Sequence, residues 1–285
     1  MECRYSGIEH LSKTVALSRF DWREITLAMF TACFDASGTV HDQPYLVVAG
    51  YVSSANDWIR FDQDWQQRLR QDGLSYFHRA DCESNRGEFS GWKGKERAKD
   101  KLLHDLITIV SRNTYRKVGC MISNKVLAEK LLPEVKRDFH LHAYAFAGIV
   151  SVSQVYKWAF TNKIRTPIEW IFEDGDDGKG ELMANMRMYG YPYPSFRPKK
   201  DRLDNGSLIP AFTGLQAADY LAYEMFQMLK NQKVSPYLRL LHEKIGEPSL
   251  LTVKSVEEYN QFFKSIGNLD EFVARLSGNS SKAAC

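Results

Sequence analysis

The stretch Thr31-Ala32-Cys33-Phe34-Asp35-Ala36-Ser37-Gly38-Thr39 runs apolar, stops on a carboxylate and breaks into a turn. Read as a strand, it sends Cys33 and Asp35 to one face and Phe34 to the other, because strand side chains alternate with period two. Ser37-Gly38 supplies the turn, and Tyr45 to Val52 follows as a second, almost uninterrupted apolar strand, so the pair reads as a hairpin in the heart of a sheet. Asp35 then sits at a rim where a charged group can be held.

Outward from the hairpin, strands and helices alternate. Ser54 with Asp57 resembles a capping box, and Trp58, Phe61, Trp65 and Leu69 recur at helical spacing up to Gly73. Leu74 to His78 is expected as a third strand leading into a polar loop, Arg79 to Glu83. Ala98, Leu102, Leu106 and Ile109 mark a helix, Tyr115 to Ile122 a strand, and Lys136 to Phe160 a long apolar helix. Ile168 to Glu173 followed by Asp174-Gly175-Asp176-Asp177-Gly178 repeats the opening pattern of strand, acid, turn. A short helix over Lys179 to Tyr189 and a loop or edge strand over Tyr191 to Pro198 come next. Thr213 and Gln216 have capping-box spacing and open a helix over Leu215 to Lys230, and Val256 to Leu276 is expected as an amphipathic helix.

The chain has 285 residues and a formal charge of +3, enough length for a substantial core and too mild a charge to name a partner. No apolar run of about 18 or more residues occurs, and the N-terminus lacks the layout of a signal peptide, so the expectation is a soluble cytoplasmic protein with no membrane partner. Five cysteines are scattered without a C-x-x-C pair, against a disulfide framework or a structural zinc site, and Cys33 and Cys120 read as small buried hydrophobes. Nucleophile-elbow, P-loop and dinucleotide-binding signatures are missing from the sequence.

The helix after Thr213 is the most informative for chemistry. Leu215, Ala218, Ala222, Phe226 and Leu229 form one apolar stripe, and Asp219 falls inside it. A buried carboxylate must be ion-paired, neutralised or bound to a metal. Either Asp219 pairs with an Arg or Lys, or it meets Asp35 and the acids after Phe172 around a divalent cation, for which hard oxygen donors suit Mg²⁺ or Mn²⁺. Glu173 and Asp174 point in alternate directions, so one of them shares the face of Asp35. Asp176 and Asp177 lie in a turn where acids are common for local reasons. Glu224 falls off the stripe and is expected to be solvated. His140 and His142 would be split to different faces of a helix, whereas the loop of His78, Asp81 and Glu83 either lines the same cleft or is simply polar. Tyr191, Tyr193 and Phe196 beside Arg197, Lys199, Lys200 and Arg202 read either as a stacking and phosphate-contacting surface for a single strand or as an exposed loop.

Phe34-Asp35-Ala36-Ser37-Gly38, Phe172-Glu173-Asp174-Gly175-Asp176 and Leu215-Gln216-Ala217-Ala218-Asp219 together resemble the family numbered 3800 among domains of unknown function. Its members open with a strand ending Asp-Glu-Ser-Gly, carry an acid after a later strand and finish with Leu-Gln-x-Ala-Asp on a helix. Ala36 stands where the family has Glu. The resemblance spans roughly Met29 to Lys230 and implies an α/β, ribonuclease H-like mixed sheet flanked by helices. It maps the leading acids onto Asp35, Glu173 and Asp219.

The expected organisation is an N-terminal appendage at 1–28, the α/β domain at 29–230, a C-terminal helical extension packed on it at 231–277, and a disordered tail at 278–285. The expected activity is that of a metal-dependent nuclease. Asp35, Glu173 and Asp219 are the catalytic and metal-binding acids for Mg or Mn, with Asp174 and Asp176 as further candidate ligands. Ser37, His78, Asp81 and Gln216 are accessory, and Arg197, Lys199, Lys200 and Arg202 contact RNA or DNA. The alternatives are a catalytically silent nucleic-acid- or protein-binding module and a hydrolytic or phosphoryl-transfer reaction on a small substrate.

Overall fold

The computed structural model describes residues 30–39, 43–125, 142–198 and 212–246, with backbone only for 249–253. Strands β1 (Phe30–Ser37), β2 (Tyr45–Ser54) and β3 (Arg116–Ser123) form an antiparallel meander. β4 (Ile168–Glu173) runs parallel to β1, β5 (Ser195–Arg197) parallel to β4, and β6 (Ser249–Val253) parallel to β3. The result is a six-stranded mixed sheet in the order β5-β4-β1-β2-β3-β6.

β2 passes directly into α1 (Ala55–Gln71), because Ser54 takes an extended conformation and its hydroxyl accepts the Asp57 N–H at 3.2 Å. The buried face of α1 carries Trp58, Phe61, Trp65 and Leu69, as their spacing requires. The segment Leu74–His78 is extended without joining the sheet, contrary to the expected third strand. Both edges of the β1–β2 hairpin are already taken, by β4 and β3. Arg79 to Glu83, expected as a polar loop, forms most of the short helix α2 (Arg79–Ser84), with the Arg79 side chain turned inward at 3 % exposure.

α3 (Glu96–Asn113) packs on α1, and Arg68 clips the two together through Asp105 at 2.7 Å while holding Asp72 at 2.6 Å. α4 (Ala143–Thr161) and α5 (Lys179–Met188) cover the opposite face of the sheet. α6 (Thr213–Asn231) lies across β1 and β2, and α7 (Pro236–Ile245) packs against α3 and α6. The core therefore has two layers, as strand alternation dictates. Cys33, Ala49, Tyr51, Met121 and Ile171 meet α1, α3, α6 and α7, whereas Phe34, Val48, Cys120, Trp170 and Phe172 meet α4 and α5.

The segment expected as a purely helical extension contains α7 and then β6, which joins the sheet. The outer edge of β3 presents backbone donors and acceptors that need partners, and β6 supplies them. Lys117 on β3 is buried and donates from Nζ to the Leu241 carbonyl at 2.6 Å, tying the last turn of α7 to the sheet. Residues 1–28, the first part of the helix expected from Lys136, the helix at 256–276 and the tail at 278–285 lie outside the described residues. Among those described, no helix is long and apolar enough to cross a membrane.

Two glycines let the hairpin end as it does. Gly38 takes a φ of +83°, and Gly50 lies opposite Phe34 with so little room that a Cβ would stand 1.8 Å from the Cys33 carbonyl oxygen. Gly50→Ala is therefore expected to destabilise the protein by about 2 kcal/mol or more, the range of overpacking at a site that cannot yield. Urea unfolding followed by circular dichroism checks this as a fall in midpoint.

Candidate active site

In the parallel pair of β1 and β4, Cys33 stands beside Ile171 and Phe34 beside Phe172. The next residues, Asp35 and Glu173, thus leave the sheet side by side on the face that carries Cys33 and Ile171. Neighbouring strands are about 4.8 Å apart, so the ladder sets the backbone separation of these two acids. The turn after Glu173 then bends back through Gly175 and Gly178, with φ of +129° and +92°, and returns Asp176 to the same place. A carboxylate oxygen from each of Asp35, Glu173 and Asp176 lies within 4.8 Å of the others.

Like charges this close repel, by about 3 kcal/mol for two unit charges about 5 Å apart at an effective dielectric constant near about 20. Asp35, at 2 % exposure, cannot escape into solvent. Tyr144, near the start of α4, feels the same field. Burial, and then the charges of Asp176, Asp35, Glu173 and Asp174, push its phenol well above its ordinary range. Its hydroxyl is buried beside these acids and has no hydrogen-bond partner among the described residues. His142 precedes α4 and packs on Gly178, where a Cβ would fall 2.2 Å from Nδ1.

Glu173 and Asp176 line one wall of a cavity of about 1060 Å³, with the buried Asp35 close behind them. α6 and α2 build the other wall. Gln216 and Asp219, three residues apart on α6, both turn toward the segment before α2. The Gln216 side-chain oxygen accepts the Phe77 N–H at 2.9 Å and the Trp65 indole N–H at 2.8 Å, and Asp219 Oδ2 accepts the Arg79 N–H at 2.6 Å. His78 is held between those two anchors. Its Nδ1 lies 3.0 Å from Asp81 Oδ2, and its Nε2 lies 3.6 Å from Asp219 Oδ1.

Arg79 locks this wall from behind. Its Nε donates to Glu224 at 2.8 Å and its Nη1 to Glu83 at 2.9 Å, with the guanidinium over the rings of Tyr220, Tyr223 and Tyr237. Burial alone would pull the guanidinium down, but Glu224, with Tyr220 and Glu83, outweighs it and holds Arg79 above its ordinary value. Ser235, the N-cap of α7, donates to the second oxygen of Glu224.

The structure redistributes the expected roles. Asp35 and Glu173 come together as expected, and their third partner among the described residues is Asp176, not Asp219. Asp219 lines the same cavity, in the company of His78. Asp174, in the turn after β4, also lines the cavity and pairs with Lys179. Ser37, His78 and Asp81 line the cavity, whereas Gln216, at 1 % exposure, acts from behind the wall. Glu224, expected in solvent, is at 1 % exposure because α2 and α7 cover the side of α6 that the sheet leaves open.

Arg197 sits on β5 beside Glu173, while Lys199, Lys200 and Arg202 lie outside the described residues. Tyr191, one of the expected stacking rings, is a core residue stacked on Tyr156 at 4.6 Å. Among the described residues, the cations that line the cavity are Arg86, Lys179 and Lys230. Of these, Lys230 was detectable in principle, since it lies on the helix of Asp219 three turns further on; Arg86 carries no comparable signal. Comparison with protein-family models, with curated proteins and with solved structures returned no match.

Removing Glu224 strands a buried guanidinium, whereas removing Glu83 deletes a partner whose side chain is 61 % exposed. Glu224→Ala is expected to cost about 3 kcal/mol of stability and Glu83→Ala less than about 1 kcal/mol. Chemical denaturation of the two variants beside the parent measures the difference.

Proposed function

We propose that the protein is a metal-dependent nuclease of ribonuclease H-like type that hydrolyses phosphodiester bonds in RNA or DNA. The observation that carries this reading is the meeting of Asp35, Glu173 and Asp176 within 4.8 Å, with Glu173 and Asp176 lining a large cavity. The mixed sheet with helices on both faces agrees with the fold the motifs imply.

The donor set fits a hard divalent cation: three carboxylates from separate backbone positions, Asp35 almost fully buried, with the buried Tyr144 hydroxyl beside them. Asp35, Glu173 and Asp176 would hold Mg²⁺ or Mn²⁺. When bound, such an ion supplies Lewis acidity toward a phosphoryl oxygen and makes water a stronger acid. Ala36 lies on the strand between Asp35 and Ser37, where the related motif has Glu, and Asp176 restores the count of carboxylates from the turn after β4. That compensation favours an active centre over the silent binding module.

The protein's own groups do the rest. Arg86, Lys179 and Lys230 line the same cavity as the acids and offer positive charge to the phosphates on either side of a scissile bond. The acidic wall repels a phosphate that arrives without a cation, so charge discriminates between productive and unproductive approach. Asp174 keeps Lys179 beside the acids.

Calorimetric titration with Mn²⁺, together with cleavage of labelled single- and double-stranded RNA and DNA, tests the reading. The parent is expected to bind Mn²⁺ and cleave at least one of the substrates. Asp35→Asn should lower cleavage by more than the about 10–100-fold typical of groups outside a ligand set. Undiminished cleavage in Asp35→Asn, or no Mn²⁺ uptake at millimolar metal by the parent, would rule it out.

A further inference from the structure

The wall opposite the acids holds a histidine under tighter control than an ordinary surface residue. Its two backbone neighbours are fixed, since the N–H groups of Phe77 and Arg79 are taken by Gln216 and Asp219. The side chain is fixed on one edge as well, with Nδ1 3.0 Å from Asp81 Oδ2, and Asp81 also receives the Tyr76 hydroxyl at 3.3 Å. The other edge, Nε2, is 3.6 Å from Asp219 Oδ1, beyond hydrogen-bond length. His78, Asp81 and Asp219 line the same cavity as Glu173 and Asp176, and the His78 side chain is one-third exposed to it. An imidazole with Nδ1 beside a carboxylate, on a residue that lines a substrate-sized space, suits proton transfer.

The geometry points to His78 as a catalytic residue: the general acid that protonates the oxygen leaving phosphorus, with Asp81 as its positioning residue. This rests on the nuclease reading of the same cavity. In the step, the oxygen of a water molecule forms a new bond to phosphorus, and the bond from phosphorus to the leaving oxygen breaks with its electron pair. His78 passes the proton on Nε2 to that oxygen, while the proton lost by the water goes to solvent. The imidazole that remains keeps Nδ1–H directed at Asp81 and is reprotonated from solvent. Asp219 keeps the Nε2 edge facing the cavity and, through the Arg79 N–H, keeps the residue at its place in the wall.

The test uses a leaving group that needs no proton. Oligonucleotides carrying a single bridging sulfur, at the 3′ or the 5′ position of one linkage, are compared with their all-oxygen counterparts in Mn²⁺, using the full chain, His78→Ala, His78→Asn, Asp81→Asn and Asp35→Asn. His78 takes no side-chain part in capping α2, and its ring is partly exposed, so either substitution at 78 should fold. Thermal unfolding of each variant verifies that. His78→Ala is expected to cleave the all-oxygen substrate about 10²–10⁴-fold more slowly, the usual contribution of a positioned acid. It should approach the parent on one of the two sulfur-bridged substrates, and added imidazole should recover part of the loss. Asp81→Asn should show a smaller loss that sulfur also offsets. An equal loss on oxygen and sulfur substrates in both variants at 78, or no loss in either, overturns the assignment of His78 while Asp35→Asn remains inactive. A parent that cleaves nothing, or an Asp35→Asn that cleaves normally, overturns the nuclease reading and this assignment with it.

Discussion

Two side chains on one helix carry the backbone of the segment they face. The Phe77 and Arg79 N–H groups are buried donors without a strand to pair with, and each would cost about 1–3 kcal/mol if left unmet. Gln216 and Asp219 meet them. Gln216 also accepts from Trp65, so a single carbonyl joins α6, α1 and the extended segment. Because those contacts are made, the chain turns into α2 with Arg79 pointing inward, and the guanidinium finds Glu224 and three tyrosine rings. The Leu-Gln-x-Ala-Asp spacing on α6 thus has a mechanical meaning. It places an amide and a carboxylate one turn apart, matched to N–H groups two residues apart.

The two walls of the cavity are built on different principles. The sheet wall places Asp35 and Glu173 on hydrogen-bonded strands and Asp176 on the turn that follows β4. The helical wall is tied by side chains, and each of its charges has an opposite charge or a donor nearby. A phosphodiester between them would meet cation-binding capacity on one side and hydrogen-bond donors on the other. Arg86 and Lys230 stand with the helical wall, and Lys179 stands with the sheet, so positive charge is distributed around the opening.

Much of this was legible from residue order. Period-two alternation placed Cys33 and Asp35 on one face, and the repeated strand-acid-turn pattern brought either Glu173 or Asp174 there, a choice that only the motif resemblance made for Glu173. The Trp58, Phe61, Trp65, Leu69 series and the cap at Ser54 marked α1 to within a turn. What escaped has a common physical cause. Periodicity reports which side of an element is covered by its principal neighbour, not what else reaches it. Glu224 lies off the apolar stripe of α6 and yet is enclosed, because α2 and α7 arrive from elsewhere in the chain. Asp176 looks like a turn former because Gly175 and Gly178 flank it, and the same glycines are what swing it back to Asp35. The extended run from Leu74 to His78 has strand composition but no vacant edge to join, and edge availability is a property of the whole topology. The pairing of β6 with β3 is of the same kind.

The separation of Asp35 and Glu173 is a peptide dimension. For the backbone it is dictated by the interstrand hydrogen bonds of β1 and β4, so only side-chain rotation adapts the two acids to what they share. Asp176 hangs instead on a glycine-bordered turn, where small dihedral changes move it by ångströms. If a cation is held here, two of its ligands stand on a fixed backbone and the third on an adjustable one. Tolerance for ions of different radius would then be a property of the turn between β4 and α5, and changes to its stiffness would alter ion preference without touching any of the acids.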